Sequence, residues 1–112
     1  MDRRSDCPIA CTLDLIGDKW TLLILRDILY FNKSRFEEFL ESPEKISTNI
    51  LTDRLHKLEK AGLITKAPYG SHRLRMAYST TEKGKSVTTV LQEIAKWGLS
   101  NIENTSRSPR RP

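Results

Sequence analysis

A chain of 112 residues with 38% hydrophobic and 29% charged residues has room for one modest core, which excludes a multidomain or a disordered protein. Its formal net charge of +5 favours an anionic partner over an acidic or neutral one. No segment reaches the roughly 20 apolar residues of a membrane span, and MDRRSDCPIA lacks the apolar stretch of an export signal, so a cytoplasmic protein is expected.

The first expected element is a short helix from Thr12 to Gly17, interrupted at Gly17-Asp18. Trp20, Leu23, Ile24, Ile28 and Phe31 then recur at helical spacing. Leu22, Leu25 and Leu29 make this run apolar nearly all round, which places it at the centre of the domain. Ser34-Arg35-Phe36-Glu37 reads as a capping box opening a short helix with Phe36, Phe39 and Leu40 inward and Pro43 beyond its end. The next helix is the most sharply patterned in the chain. Leu51, Leu55 and Leu58 share one stripe, Asn49, Asp53, His56 and Lys60 emerge opposite, Ser47 is a good N-cap, and Gly62 ends the run. Leu63 to Ala67 and Arg73 to Ser79 follow as two strands around a Pro68-Tyr69-Gly70 turn. Between Lys60 and Thr81 there is no Asp or Glu, while Lys60, Lys66, Arg73 and Arg75 are present. Thr81 can then cap one long helix with Val87, Val90, Leu91, Ile94 and Trp97 as its apolar stripe and Gly98 loosening its end. The tail 104–112 has the composition of a flexible basic segment, leaving 1–103 as the domain.

Two helices followed by a basic hairpin predict a mainly α fold with a small β-hairpin wing, a winged helix-turn-helix, in which the apolar stripe of the last helix either forms a dimer surface or folds back on its own domain. The partner that such a layout fits is double-stranded DNA. The polar residues of the second helix of the motif, Thr48, Asn49, Thr52, Asp53 and His56, are the candidates for base edges: Asn49 can pair with adenine, Asp53 can accept from cytosine, and the Thr methyls can meet thymine. Arg54 and Lys57 on its flanks, Arg35 before the preceding helix, and Ser47 with the first-turn amides are candidates for phosphate. His72, Arg73 and Arg75 would lie along a neighbouring minor groove or backbone, with Leu74, Met76 and Tyr78 packed inward. The competing reading is a winged-helix module that docks on a protein through the same face.

Enzymatic chemistry has no motif here. His56 and His72, the two histidines, form no metal-ligand pattern with Cys7 and Cys11, and there is no Gly-rich phosphate loop or nucleophile elbow, so neither cofactor nor metal is expected. Cys7 is the candidate sensor: a helix start beside Arg3 and Arg4 favours a thiolate that oxidants and electrophiles attack. Cys11 is either its resolving partner or a small apolar residue, and both thiols can equally be inert.

The chain resembles the HxlR-type transcriptional regulators, a bacterial winged-helix family, from Cys7 to about Trp97. The resemblance rests on Cys7-Pro8, the run Ile16-Gly17-Asp18-Lys19-Trp20-Thr21-Leu22-Leu23-Ile24-Leu25-Arg26, Arg35-Phe36, Ile46-Ser47, Leu51-Thr52-Asp53-Arg54-Leu55, Leu58-Glu59-Lys60-Ala61-Gly62-Leu63-Ile64, Tyr78-Ser79-Thr80-Thr81 with Gly84, and Trp97-Gly98. Two departures stand out: Asp18 replaces a usual Gly, and Asn32-Lys33 replace a usual Gly-Pro turn. The resemblance implies a homodimer through the first and last helices, Leu13 among them, on a pseudo-palindromic operator. It also supports Cys7 as a sensor of reactive species. Nothing in the sequence names a small-molecule effector.

Overall fold

A computed structural model describes residues 3–106, apart from the side chains of residues 72–74. Its elements are α1 (Pro8–Ile16), α2 (Thr21–Phe31), α3 (Phe36–Leu40), α4 (Thr48–Lys60), β1 (Ile64–Tyr69), β2 (His72–Thr80), α5 (Glu82–Lys85) and α6 (Val87–Asn101). The expected leucine stripe of α4 forms the middle of the core, with Leu51 at 0% exposure and Leu55 and Leu58 at 2%. Burying each such side chain contributes about 2 kcal/mol. Ile16 of α1, Ile24 and Leu25 of α2, Phe39 of α3, Ile46, Leu63, Ile64 and Val87 complete the cluster, so the helices and the hairpin share one interior. The fold is a winged helix-turn-helix, as expected.

Local chemistry sets the ends of α4. The Ser47 hydroxyl accepts from the Ile50 amide at 3.2 Å, and Gly62 takes φ 79°, a left-handed conformation that costs a side chain-bearing residue energy. Thr81 donates its hydroxyl to the Gly62 carbonyl and Lys83 reaches the Ala61 carbonyl at 2.8 Å, so the exit of α4 is capped from the following segment. At the end of α2, Asn32 adopts the left-handed turn (φ 55°) that a Gly would otherwise take.

Five boundaries differ from the expectations. Helix α1 begins at Pro8, not Thr12, because Pro is well placed in a first turn whose amide needs no partner. The capping box at α3 is shifted by one residue: Arg35 is the N-cap, and Glu38, not Glu37, accepts from the amides of Ser34 and Arg35 at 2.9 Å each. Pro68 and Tyr69 belong to β1, leaving Gly70-Ser71 as the turn; Pro68 sits next to a register irregularity on an outer strand, where its missing N–H does least harm. The helix expected to run from Thr81 is two helices. Thr81 caps α5, accepting from the Gly84 amide, and Ser86 donates to the Lys83 carbonyl at 2.6 Å, a bond that competes with continued helix. Gly98 lies inside α6, which continues to Asn101.

Antiparallel β1 and β2 pair from Ile64↔Thr80 to Tyr69↔His72. The segment before α3 joins β2 through an isolated bridge, Arg35↔Ala77, with the Tyr78 amide donating to the Ser34 carbonyl at 2.7 Å. The Phe39 and Tyr78 rings meet edge to face at 6.3 Å, which locks the wing to the helical body.

Gly84 of α5 lies close against the backbone of Leu63, just before β1. A Cβ there would stand 2.0 Å from the Leu63 carbonyl oxygen. Gly84→Ala is expected to lower unfolding stability by about 1–3 kcal/mol, read as a fall in the urea midpoint with an unchanged slope; an unchanged midpoint would show that the backbone yields there.

Candidate nucleic-acid interface

Turning Leu51, Leu55 and Leu58 inward turns Thr48, Asn49, Thr52, Asp53, His56, Lys57 and Lys60 outward, and all seven are exposed. The structure therefore brings the expected base-reading set onto one face of one helix. The first turn of α4 carries no acidic residue and the last carries Lys57 and Lys60, so the positive end of the helix dipole faces solvent unopposed. Ser47 uses its hydroxyl as the cap, so any anion at this end would meet the first-turn amides of Thr48 and Asn49.

The flanking cations divide into engaged and open. Arg54 donates to Asp18 at 2.9 Å and to Asp53 at 2.5 Å; its side chain is only 23% exposed. Lys57 pairs with Asp53 at 3.4 Å, one helical turn away. Desolvation opposes the charge on Asp53, but the hydrogen bonds from Lys57 and Arg54 together outweigh it and hold the carboxyl below its ordinary range. Burial likewise opposes the charge on Asp18. The Thr21 hydroxyl, Arg54 and the amides of Trp20 and Thr21 more than compensate, bringing its pKa down to about 2. Asp18, reached only as a departure in the sequence, is thus both the acceptor that starts α2 and the anchor of Arg54. The Asp18 bond raises the pKa of Arg54 further above its ordinary value.

Arg35 lies at the N-cap of α3, with its guanidinium 4.2 Å from the centre of the Tyr69 ring, a cation–π contact that ties it to the wing. Arg75 is exposed on β2. Together with Phe36, Glu37, Tyr69, Met76 and Tyr78 it lines an open cleft of about 460 Å³ between α3 and the wing. The expected roles of His72 and Arg73, and the inward packing of Leu74, fall on side chains outside those described.

A second polar cluster had no place in the sequence reading. Asp27, 3% exposed, receives Arg26 at 2.8 Å and the Ser42 hydroxyl, while Lys33 donates to Ser42 at 2.8 Å. Arg26 also forms a two-pronged bond with Glu44 at 2.8 and 2.9 Å. The Arg26 bond holds Glu44 below the usual carboxylate range, and Glu44 in turn raises Arg26. The signal was Arg26-Asp27 inside an otherwise apolar helix. Among the described residues, no buried side-chain nitrogen or oxygen lacks a partner.

At the other end of the molecule, Cys7 is the exposed N-cap of α1 and Cys11 is half-buried, both as free thiols. The cations expected beside Cys7 are taken by carboxylates: Arg4 pairs with Asp14 at 2.6 Å and Arg3 with Asp6 at 3.7 Å. The Cys11 thiol points at the Ser5 carbonyl at 3.4 Å. Ile9 and Leu13 on α1 and Val90, Ile94 and Trp97 on α6 are exposed, Trp97 by 64%. Val87, expected on this outer stripe, is buried in the protomer core, and Leu91 packs partly against that core. Of the expected basic tail, residues 107–112 lie outside the described ones, while Thr105 folds back to the Gly98 and Ile102 carbonyls. No described group of His, Cys, Asp and Glu is arranged to hold a metal, and no described helix is long and apolar enough to cross a membrane.

Comparison with known proteins converges on the same arrangement. The model of the HxlR-like helix-turn-helix family matches residues 15–106. The HTH-type transcriptional regulator YdeP of Bacillus subtilis is 36% identical over 92 residues, covering 82% of this chain and 71% of YdeP. The crystal structure of the transcription factor PA1607 superposes with a TM-score of 0.82 at 34% identity, covering 94% of this chain and 73% of that one. The redox regulator HypR in its reduced form superposes with a TM-score of 0.76 at 30% identity, covering 87% of this chain and 95% of HypR.

The low pKa of Asp18 has a definite sign in acid. Its stabilising effect is present above the ordinary value of 3.8 and is lost as the pH falls through about 2. Allowing for solvent screening, the loss is about 1 kcal/mol. Urea unfolding of the wild type and of Asp18→Asn at pH 5 and pH 2 is expected to show the two proteins closer in stability at pH 2; a constant gap would mean that Asp18 is not held below its ordinary pKa.

Proposed function

Because the chain belongs to the HxlR-like helix-turn-helix family of transcriptional regulators, we propose that it acts as a homodimer that reads a pseudo-palindromic operator through α4 of each copy. The observation that carries this reading is the exposed polar face of α4, from Thr48 to Lys57, standing on a fully buried leucine stripe. A rigid helix with polar side chains on its outer face matches the donor and acceptor pattern of the major groove. In this reading Asn49 and Thr52 meet base edges, and the α4 amides, Lys57 and Arg35 meet phosphates, with the wing bearing Arg75 along the neighbouring backbone. The chemistry is binding; no catalytic step is assigned to it, and its place is the cytoplasm.

Dimerisation uses α1 and α6. Ile9, Leu13, Val90, Ile94 and Trp97 form apolar surface that a single copy leaves in water. A two-fold pair of recognition helices reads half-sites about 34 Å apart, one turn of duplex.

Regulation through Cys7 is the finer part of the proposal. The thiol is exposed at the start of α1, the helix assigned to the dimer, so its oxidation would alter the surface that sets the spacing of the two α4 helices. HypR, a structural neighbour, is a redox regulator solved in both reduced and oxidised forms. A two-electron oxidant such as diamide would convert two thiols to a disulfide, taking up the two electrons and two protons that the thiols lose.

Two measurements test this. Asn49→Ala is expected to lose roughly 1–3 kcal/mol of preference for the DNA upstream of the protein's own gene over scrambled DNA, measured by fluorescence anisotropy; unchanged preference removes Asn49 from the base-reading set. Cys7→Ser is expected to keep that affinity while losing its response to diamide, and a response that survives would assign sensing elsewhere.

A further inference from the structure

Resting on the DNA-binding reading above, we propose that Asp18 is a positioning residue for DNA recognition: it holds Arg54 against the α1–α2 junction, away from the phosphate backbone, and so fixes the pose of Asp53 on the reading face of α4. A flanking arginine on a recognition helix would ordinarily be counted as a phosphate contact. Here its guanidinium is committed on both sides, with Nε donating to Asp18 at 2.9 Å and one terminal nitrogen donating to Asp53 at 2.5 Å. The bond to Asp18 spans 36 residues of sequence and ties the α4 helix to the turn between α1 and α2. Asp18 is itself fixed, since its other bonds come from the Thr21 hydroxyl and the amides of Trp20 and Thr21. The chain Thr21–Asp18–Arg54–Asp53–Lys57 therefore runs from the start of the central helix to the DNA-facing surface.

Two consequences follow from charge. Arg54 neutralises Asp53, which lets a carboxylate stand on a surface that approaches phosphates. With Arg54 engaged, it contributes nothing to counterion release, so the salt dependence of binding is set by other cations. Asp53, held from two sides by Arg54 and Lys57, is presented in one orientation as an acceptor for a cytosine amino group. Asp18 thereby acts on specificity without touching DNA.

The test uses the full-length chain, with affinity for its upstream DNA and for scrambled DNA measured across a salt series. Asp18→Asn keeps an acceptor for the start of α2 but removes the charge that holds Arg54; Asp18→Gly removes both and provides a second variant should the first fold poorly. In the variants the Arg54–Asp53 pair remains alone, with Asp53 open to solvent and Arg54 partly so, and Arg54 can turn to phosphate. The expected result is a log–log salt slope steeper by about one and a roughly tenfold loss of discrimination against scrambled DNA. The steeper slope should vanish when Arg54→Ala is added to Asp18→Asn, and Arg54→Ala alone should leave the wild-type slope unchanged. A wild-type protein with no salt-dependent preference for any DNA overturns both the DNA-binding reading and this inference. Salt-dependent wild-type binding, with a slope that falls by one in Arg54→Ala or stays fixed in Asp18→Asn, overturns this inference alone.

Discussion

Asp27 sits in the middle of α2 with 3% of its surface exposed, and a carboxylate in that position must be met from every side. Arg26 and the Ser42 hydroxyl meet it directly, Lys33 lies 3.8 Å from it, and Arg26 continues to Glu44. Ser42 and Glu44 belong to the turn between α3 and α4, so the buried charge on the central helix dictates where that turn is held. The position of α4 depends on the turn, and the outward direction of Asn49, Thr52 and His56 depends on α4. Breaking such a buried arrangement by deleting one partner commonly costs 3–5 kcal/mol, which is a large share of the stability of a domain this size. The turn is longer than the tightest helix-turn-helix connections, and this network supplies the rigidity that a Gly-marked turn would otherwise bring.

The parts of the fold legible from sequence are those governed by local periodicity. The α4 stripe, its Ser47 cap and its Gly62 stop all follow from interactions within about four residues, and each stands where its spacing placed it. Elements whose limits depend on distant partners were misplaced. The last helix breaks in two next to where Gly84 lies against the Leu63 carbonyl, a contact invisible in the one-dimensional pattern. The hairpin turn moved because β1 extends through Tyr69, and Val87 turned inward to join the core cluster. The exposed polar face of α4 was recoverable as a set, but the commitment of Arg54 was not: its partner Asp18 lies 36 residues away.

Net charge overstates how much positive potential this molecule presents at α4. Arg54 and Lys57 both share Asp53, and Lys66 stands 3.6 Å from Glu59. The face is polar and nearly balanced, which suits discrimination between sequences more than indiscriminate attraction to polyanions. Among the described residues, open positive groups near this face include Lys60 at the far end of α4 and Arg75 on the wing.

Helix α1 contributes one buried residue, Ile16, to the protomer and leaves Ile9 70% and Leu13 55% exposed. Its backbone bonds are therefore insured by very little tertiary contact and can break in a local opening that leaves α2, α4 and the hairpin intact. Amide exchange along α1 accordingly reports a small equilibrium of its own, separate from global unfolding. Whatever comes to cover Ile9 and Leu13 will slow exchange there first, making the N-terminal helix an internal gauge of its own occupancy.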